Sequence, residues 1–475
     1  MTDSDQFCTA PNLQQTYPKI ERKVSKYDKV PELEQTLIVK TGSYQKQYAS
    51  IYFIRLLHLR PIVLEAAKQR WGSYPEKPAY IPKALDIQTN EVCYIIGTVY
   101  IDMEMKPNVL RDLSAESNLT VPPTPEKYRT ETNVISLEDE SGRVKLIGAR
   151  LDKEMLVTGM VVGILGKEDP ASGAFEAYEV CYPGLPPQTP LPVPNVDDTK
   201  EDKYVAILSG LNIGTKADND LNLQLLTEYI SGELGSGNDQ KSNSCITRVI
   251  IAGNSISPPV ITENGKKRTY GYDATTYDAT PMIQLDNIVN ELCMTADVDI
   301  MPGRNDPVGI HLPQQPLQRF LFDQSKKLSS FHTVTNPYWC KLDDTLLLGT
   351  SGQNIDDIYK YIEGIDRLKM AEETLFWRHM APSAPDTLWC HPFQNHDPFL
   401  LNQCPHIYFI GNQPQFETRI LEGSDKQKVR VILVPSFEES GTIVLVNLST
   451  LECSSLQFEG TKLPIGTEQD RMDES

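Results

Sequence analysis

Tyr204-Val-Ala-Ile-Leu-Ser-Gly-Leu-Asn212 is the stretch on which the fold of this chain turns. A short apolar, β-branched run bounded by turn residues reads as a buried strand, and Ser209-Gly210-Leu211-Asn212 supplies the turn. The arrangement recurs. Arg248-Val-Ile-Ile leads to Ala252-Gly253-Asn254, and Val298-Asp-Ile-Met leads to Pro302-Gly303-Arg304-Asn305-Asp306. Leu346-Leu-Leu leads to Gly349-Thr350-Ser351-Gly352, and His406-Ile-Tyr-Phe-Ile leads to Gly411-Asn412-Gln413-Pro414. Helical spacing occupies 221–230, 282–292, 355–362 and 367–379. Val429–Val434 and Thr442–Asn447 read as two further strands that end the domain. Strands alternating with helices argue for a layered α/β sheet. Such a fold places its site in the turns at the carboxyl ends of its strands. Two-metal hydrolysis there needs Asp and His side chains to hold the ions. These turns offer Gly, Asn, Arg and Pro instead, so the scaffold reads as an enzyme and the site as empty.

Upstream, residues 90–182 read as β. Glu91 to Asp102 is a long strand with Gly97 inside it, a mark of a bulge or coil in a small barrel. Val134 to Asp139, the turn Glu140-Ser141-Gly142 and Arg143 to Gly148 form a hairpin. Met155 to Gly166 and Ala174 to Tyr182 complete about five strands, the pattern of an OB-type barrel. Arg143, Lys145 and Arg150 are too few for a convincing single-strand groove. Between 44 and 71 the chain turns helical, with Pro61 expected to kink or split the helix. Six prolines at 183, 186, 187, 190, 192 and 194 mark a semi-rigid connector. The organisation is then a flexible arm at 1–40, a helical segment packing on the following domains at 41–88, a barrel at 89–183, a linker at 184–202, the layered domain at 203–460 and an acidic tail at 461–475.

The chain has 475 residues, 40% of them hydrophobic, enough for a large core and two or three domains. Its formal net charge of −19 argues against duplex binding as its main task and favours a basic protein partner. Nine cysteines, at 8, 93, 181, 245, 293, 340, 390, 404 and 453, never form a closely spaced pair, which argues against a structural zinc or iron–sulfur site. The odd count and the lack of a signal peptide point to a reducing, intracellular compartment. No apolar run approaches a membrane span. The glycosylation-like Asn118-Leu119-Thr120 is then a chance match.

Lys106-Pro-Asn-Val-Leu, Leu137-Glu-Asp-Glu-Ser-Gly-Arg-Val, Thr158-Gly-Met-Val-Val-Gly-Ile-Leu-Gly and Ala252-Gly-Asn-Ser are long, rare strings. So are Val298-Asp-Ile-Met-Pro-Gly-Arg-Asn-Asp-Pro, Leu312-Pro-Gln-Gln-Pro, Val334-Thr-Asn-Pro-Tyr and Ala384-Pro-Asp-Thr-Leu-Trp-Cys. Through them the chain, from about Tyr44 to Phe458, resembles the B-subunits of replicative DNA polymerases, most closely the DNA polymerase delta branch. The resemblance implies an α+β multidomain fold: an OB-type barrel plus an inactivated calcineurin-like phosphoesterase domain, with an N-terminal helical segment. It places the first motif's Asp and His on Gly210 and Asn212, and the bridging Asp of the second on Asn254. In the third motif Gly303 is kept, Arg304 replaces Asn and Asn305 replaces His. The fourth motif's His falls on Ser351, and the last motif's two His on Asn412 and Pro414. It further implies a nuclear, non-enzymatic subunit without cofactors, bound to the C-terminal metal-binding domain of the delta catalytic subunit. A third, clamp-linked subunit would bind through the barrel side, with indirect links to the sliding clamp and DNA, and the zeta translesion catalytic subunit could share the protein.

Other motifs have bland readings. His391, His396 and Asp397 suit packing or surface roles better than a relocated metal site. Cys404 near His406 lacks a third group to orient a nucleophile and reads as a buried cysteine. Gln314-Gln-Pro-Leu317-Gln-Arg-Phe320-Leu-Phe322 nearly spells a sliding-clamp peptide but reads as a buried structural segment. Gly235-Ser-Gly237 lacks a phosphate loop's ending and a following helix, and reads as a flexible surface loop. Tyr338-Trp339 and Trp389 are core residues or interface anchors. Two rivals remain: a metallophosphoesterase with unusual ligands, which would carry two metals per chain, and an OB-based single-strand binder, whose affinity would fall steeply with salt.

Overall fold

The computed structural model describes residues 20–40, 45–74, 77–106, 125–130, 132–191, 202–214, 219–258 and 279–459. The acidic tail, Asn118, the string at 107–110 and the prolines at 192 and 194 lie outside them. The chain opens with β1 (Tyr27–Asp28), α1 (Pro31–Leu37) and α2 (Ala49–Trp71). β2 (Ala79–Tyr80), β3 (Cys93–Asp102), β4 (Val134–Glu138), β5 (Arg143–Ile147), β6 (Val161–Glu168) and β7 (Phe175–Cys181) follow. β3 pairs with both β4 and β6, β5 with β7 and β7 with β6, so five strands close into a barrel. At Gly97, mid-β3, a Cβ would lie 2.6 Å from the Glu138 carbonyl oxygen and 2.8 Å from Leu137, so the strand crossing admits only glycine there.

The second half holds two six-stranded mixed sheets. The first runs β11 (Phe331–Thr333), β10 (Asp297–Met301), β9 (Ile246–Ala252), β8 (Tyr204–Leu208), β17 (Thr442–Asn447) and β18 (Cys453–Gln457). The second runs β1, β12 (Tyr338–Leu342), β13 (Thr345–Thr350), β14 (Ile407–Gln413), β16 (Lys428–Pro435) and β15 (Glu417–Glu422). Alternation decides the layering. Val205 and Ile207 of β8 join Ile250, Leu347, Phe409, Ile432 and Val434 in a core between the sheets. Ala206 and Leu208 face the other way, onto Leu223, Leu226 and Ile230 of α3 (Asn219–Ser231) and Leu285 and Val289 of α5 (Thr280–Cys293). The second sheet turns Leu346, Leu348 and Tyr408 toward α6 (Gln353–Tyr361) and α7 (Arg367–Phe376). That outer core continues into the barrel interior at Ile95, Val162 and Phe175.

Several expectations are corrected. Pro61 does not split α2, which runs as one helix of 23 residues. The carbonyl it leaves without a helical donor belongs to Leu57, 77% exposed, where solvent reaches it. Part of the expected flexible arm is docked: β1 pairs with β12, Leu37 is fully buried and Lys23 N–H donates to Ser244 O at 2.8 Å. Gly235-Ser-Gly237 is followed by a helix after all, α4 (Gly237–Ser244), closed by a Ser236–Asp239 capping box. β15 and β18 are half-exposed edge strands with weak apolar runs, and β18 rather than β17 ends the sheet. The proline connector lies flat where described. Arg378 donates to Gly184 O and Leu185 O, and Gln188 donates to Pro405 O and Lys428 O.

Candidate functional site

The turns after β8, β9, β10, β13 and β14 meet at one end of the two sheets. Gly210 N–H donates to Gly253 O at 2.9 Å, and Asn212 N–H to Asn254 O at 3.0 Å. Asn212, Asn254 and Asn412 have φ of 43°, 54° and 56°, a left-handed backbone that asparagine tolerates better than other side-chain-bearing residues. Gly210, with φ 63°, stands where the resemblance places a metal-binding Asp. A Cβ there would lie 2.5 Å from Ser436 Oγ and 2.8 Å from Asn412 Oδ1, so a larger residue needs both side chains to shift on a backbone that favours glycine. At Gly303 a Cβ would strike the backbone of Asn254.

Neutral amides fill the rest. Asn412 Nδ2 donates to Ala252 O (3.1 Å) and Ser351 O (2.9 Å), tying three turns together. Asn254 Oδ1 accepts from Asn305 N–H at 3.2 Å. Asn336 Nδ2 donates to Ser351 Oγ (2.6 Å), Gln314 Oε1 (2.8 Å) and Gln353 Oε1 (3.0 Å), and Gln314 Nε2 donates to Gly303 O (2.9 Å). The buried carboxylate here is Asp306, which accepts N–H bonds from Gly303, Ser255 and Ile256 at 2.7–3.1 Å. Burial pushes its carboxyl up to about 6, against the pull of those donors. Asp306 ties one turn to its neighbour rather than facing outward. It was legible as the acid ending the third turn, whereas Gln314, Asn336 and Gln353 carried no chemical signal of their own. Among the described residues no group of three or more His, Cys, Asp or Glu is placed to hold a metal ion.

The structure brings together all eight positions the sequence singled out, in two settings. Gly210, Asn212, Asn254, Asn305, Ser351 and Asn412 form the knot of turns. Arg304 and Pro414 open onto a cleft of about 640 Å³ that also takes in Tyr359, Lys360, Arg367 and Glu417.

The other candidates resolve as packing. Asp397 is fully buried, bonded to Arg55 Nε and to His379 Nε2, both at 2.8 Å, while His391 and His396 flank Phe393. Cys404 is buried, and burial pushes its thiol up to about 12. His406 accepts Leu346 N–H at Nδ1. Gln314, Leu317 and Phe322 are buried, so this clamp-like segment is not free. Tyr338 and Trp339 are core residues, while Trp389 is 47% exposed. Arg143 pairs with Glu138 and Arg150 with Glu154, which leaves little of a basic groove on the barrel. No helix among the described residues is long and apolar enough to cross a membrane.

Two family models match this architecture. The family described as the DNA polymerase alpha/epsilon B-subunit covers residues 205–418, and the DNA polymerase delta subunit OB-fold domain covers residues 47–180, α2 included. Barrel and sheets together therefore define the class, the B-subunits of replicative DNA polymerases. The DNA polymerase delta small subunit of Arabidopsis thaliana is 43% identical over 439 residues, 92% of this chain and 96% of that protein. Its counterpart in Oryza sativa subsp. japonica is 41% identical over 440 residues, 92% and 99%. That of Saccharomyces cerevisiae is 35% identical over 463 residues, 89% and 91%. The chain belongs to the family of DNA polymerase delta small subunits.

Proposed function

We propose that this chain is a non-catalytic scaffold subunit of DNA polymerase delta, acting in the nucleus in DNA replication and repair. The observation that carries the proposal is the knot of turns. On a two-sheet fold of the calcineurin-like phosphoesterase kind, the turns that would hold metals are bonded to one another through neutral amides. Two divalent ions need anionic or imidazole ligands to offset their dehydration, and the knot supplies neutral amides and backbone carbonyls, its one carboxylate, Asp306, being turned onto backbone N–H groups. The surfaces around it do the work. One binds the C-terminal metal-binding domain of the catalytic subunit, and the barrel side binds the third, clamp-linked subunit. Holding both raises their effective concentration toward each other without any chemistry by the scaffold. The polymerase zeta catalytic subunit is a further client of the first surface. Co-purification of the full chain with the isolated C-terminal domain tests the proposal, and a stable stoichiometric complex is expected. No complex, or two tightly bound metals per chain by elemental analysis together with phosphodiesterase turnover, refutes it.

A further inference from the structure

We infer that the cleft beside the knotted turns is an oxyanion site, which takes a doubly charged group of the phosphate-monoester class and holds it without hydrolysing it. The inference rests on the metal-free reading of the turns. On a chain of net charge −19, three cationic heads line this one cleft: Arg304, Lys360 and Arg367. The carboxylates beside them already have donors. Asp356 takes Arg367 Nη1 at 2.5 Å, Glu126 takes the Tyr359 hydroxyl at 3.0 Å, and Glu417 takes the Gln415 amide at 2.5 Å. The cations are less committed. Arg304 is exposed and makes no hydrogen bond or ion pair among the described residues. Lys360 reaches one hydroxyl, that of Tyr128, at 3.3 Å. Arg367 uses a single nitrogen for its bonds to Asp356 and Gln413, and its guanidinium lies 4.3 Å from the Tyr359 ring centroid.

Arg304 and Lys360, the two cations of the cleft outside an ion pair among the described residues, suit one ligand class. A guanidinium offers paired N–H groups that match phosphate oxygens, and an ammonium beside it supplies the second charge. Walls of lower dielectric strengthen both interactions relative to open surface. The volume of about 640 Å³ exceeds what bare phosphate needs and leaves room for the group that carries it. Tyr359, Pro414 and the exposed Ile365 at the rim give that carrier apolar contact.

The test is calorimetric titration of the full chain, in low salt, with inorganic phosphate and with a phosphoserine peptide, each with and without EDTA. Wild type should bind both, with the peptide tighter if a modified polypeptide is the source and equal if free phosphate esters are. Arg304→Glu should weaken Kd at least tenfold and Lys360→Gln several-fold, both with unchanged thermal midpoints, since neither side chain holds the fold. Equal binding by wild type and Arg304→Glu, or no binding by wild type at millimolar phosphate, overturns the site. Binding that disappears with EDTA overturns instead the metal-free reading on which it rests.

Discussion

Replacing Arg55 by Met should be among the most damaging single changes in the chain, and its cost should depend on pH in a direction fixed by one histidine. Arg55 comes from α2 and is fully buried. Its Nε bonds Asp397 at 2.8 Å, Nη1 donates to Gly159 O (2.9 Å) and Pro382 O (2.7 Å), and Nη2 donates to Ala384 O (2.8 Å). Methionine keeps the apolar stem but leaves a buried carboxylate short of its cation and three carbonyls short of a donor. Breaking a buried pair this way costs about 3–5 kcal/mol. Burial, with Arg55 adding to it, holds His379 down to about 4, so it is neutral in the wild type. Burial alone would raise Asp397, but Arg55 and His379 keep it well below the usual carboxylate range. A histidine depressed from its ordinary 6.5 stabilises fully above that pH and loses its contribution as pH falls toward 4, by roughly 3 kcal/mol in all. Wild-type stability should therefore decline from pH 6.5 downward. Without Arg55 the nearest charge to His379 is Asp397, its pKa rises, and the pair can ionise together. Burial still opposes the charged form, so the pKa recovers part of the way toward 6.5 and the variant should lose less stability than the wild type as pH falls below 6.5. Urea midpoints of the full chain at pH 5.5, 6.5 and 8 would show a shallower acid decline in the variant than in the wild type. A cost below about 1 kcal/mol, or parallel slopes, refutes the reasoning.

Asn212, Asn254 and Asn412 changed singly to Ala should each cost about 1 kcal/mol through the left-handed backbone, Asn412 more through its lost carbonyl bonds, with co-purification of the catalytic subunit's C-terminal domain intact. Glycine at 254 should cost less than alanine by the same urea titration, and the reverse order would show that the side chain matters more than the backbone there. Asp306→Asn should cost roughly 1–3 kcal/mol at pH 5, because an amide NH₂ then faces a backbone N–H. A carboxyl raised to about 6 contributes its stability at acid pH and loses it as pH rises through 6, so this cost should shrink toward pH 8 in the same midpoint series. A cost that grows with pH contradicts it.

The strands of the second half were legible because both sheet faces are covered. Tyr204-Val-Ala-Ile-Leu and Arg248-Val-Ile-Ile are apolar after their first residue, and the structure buries alternate residues on opposite sides. Strands with one open face, β15 and β18, left no such run and passed unseen. β1 passed unseen for another reason: two residues carry no periodicity, and what fixes them is a partner strand more than 300 residues away. The positions of the site were legible as substitutions, but its mechanics were not. Nothing in the composition of Leu312-Pro-Gln-Gln-Pro or Val334-Thr-Asn-Pro-Tyr says that Asn336 bonds both Gln314 and Ser351. Likewise Arg55 reads as one more polar residue on a helix until Asp397, 342 positions on, is brought to it.

The chemistry of the knot also explains why amides stand in it rather than other ligand-free residues. Carboxylates gathered at these turns without ions would repel one another in a partly buried space, and each would lose hydration unrepaid. Aliphatic side chains would remove the repulsion but leave the carbonyls of Ala252, Ser351 and Gly303 without donors. Asparagine and glutamine satisfy both demands, and asparagine alone among them also accepts the left-handed backbone at 212, 254 and 412. Such a knot carries a single carboxylate among its described side chains, that of Asp306, and its bonds hold the loops around it to one another. Those loops carry Arg304 and Pro414 outward to the cleft, so the same bonds that join the turns set the geometry of the surface beside them.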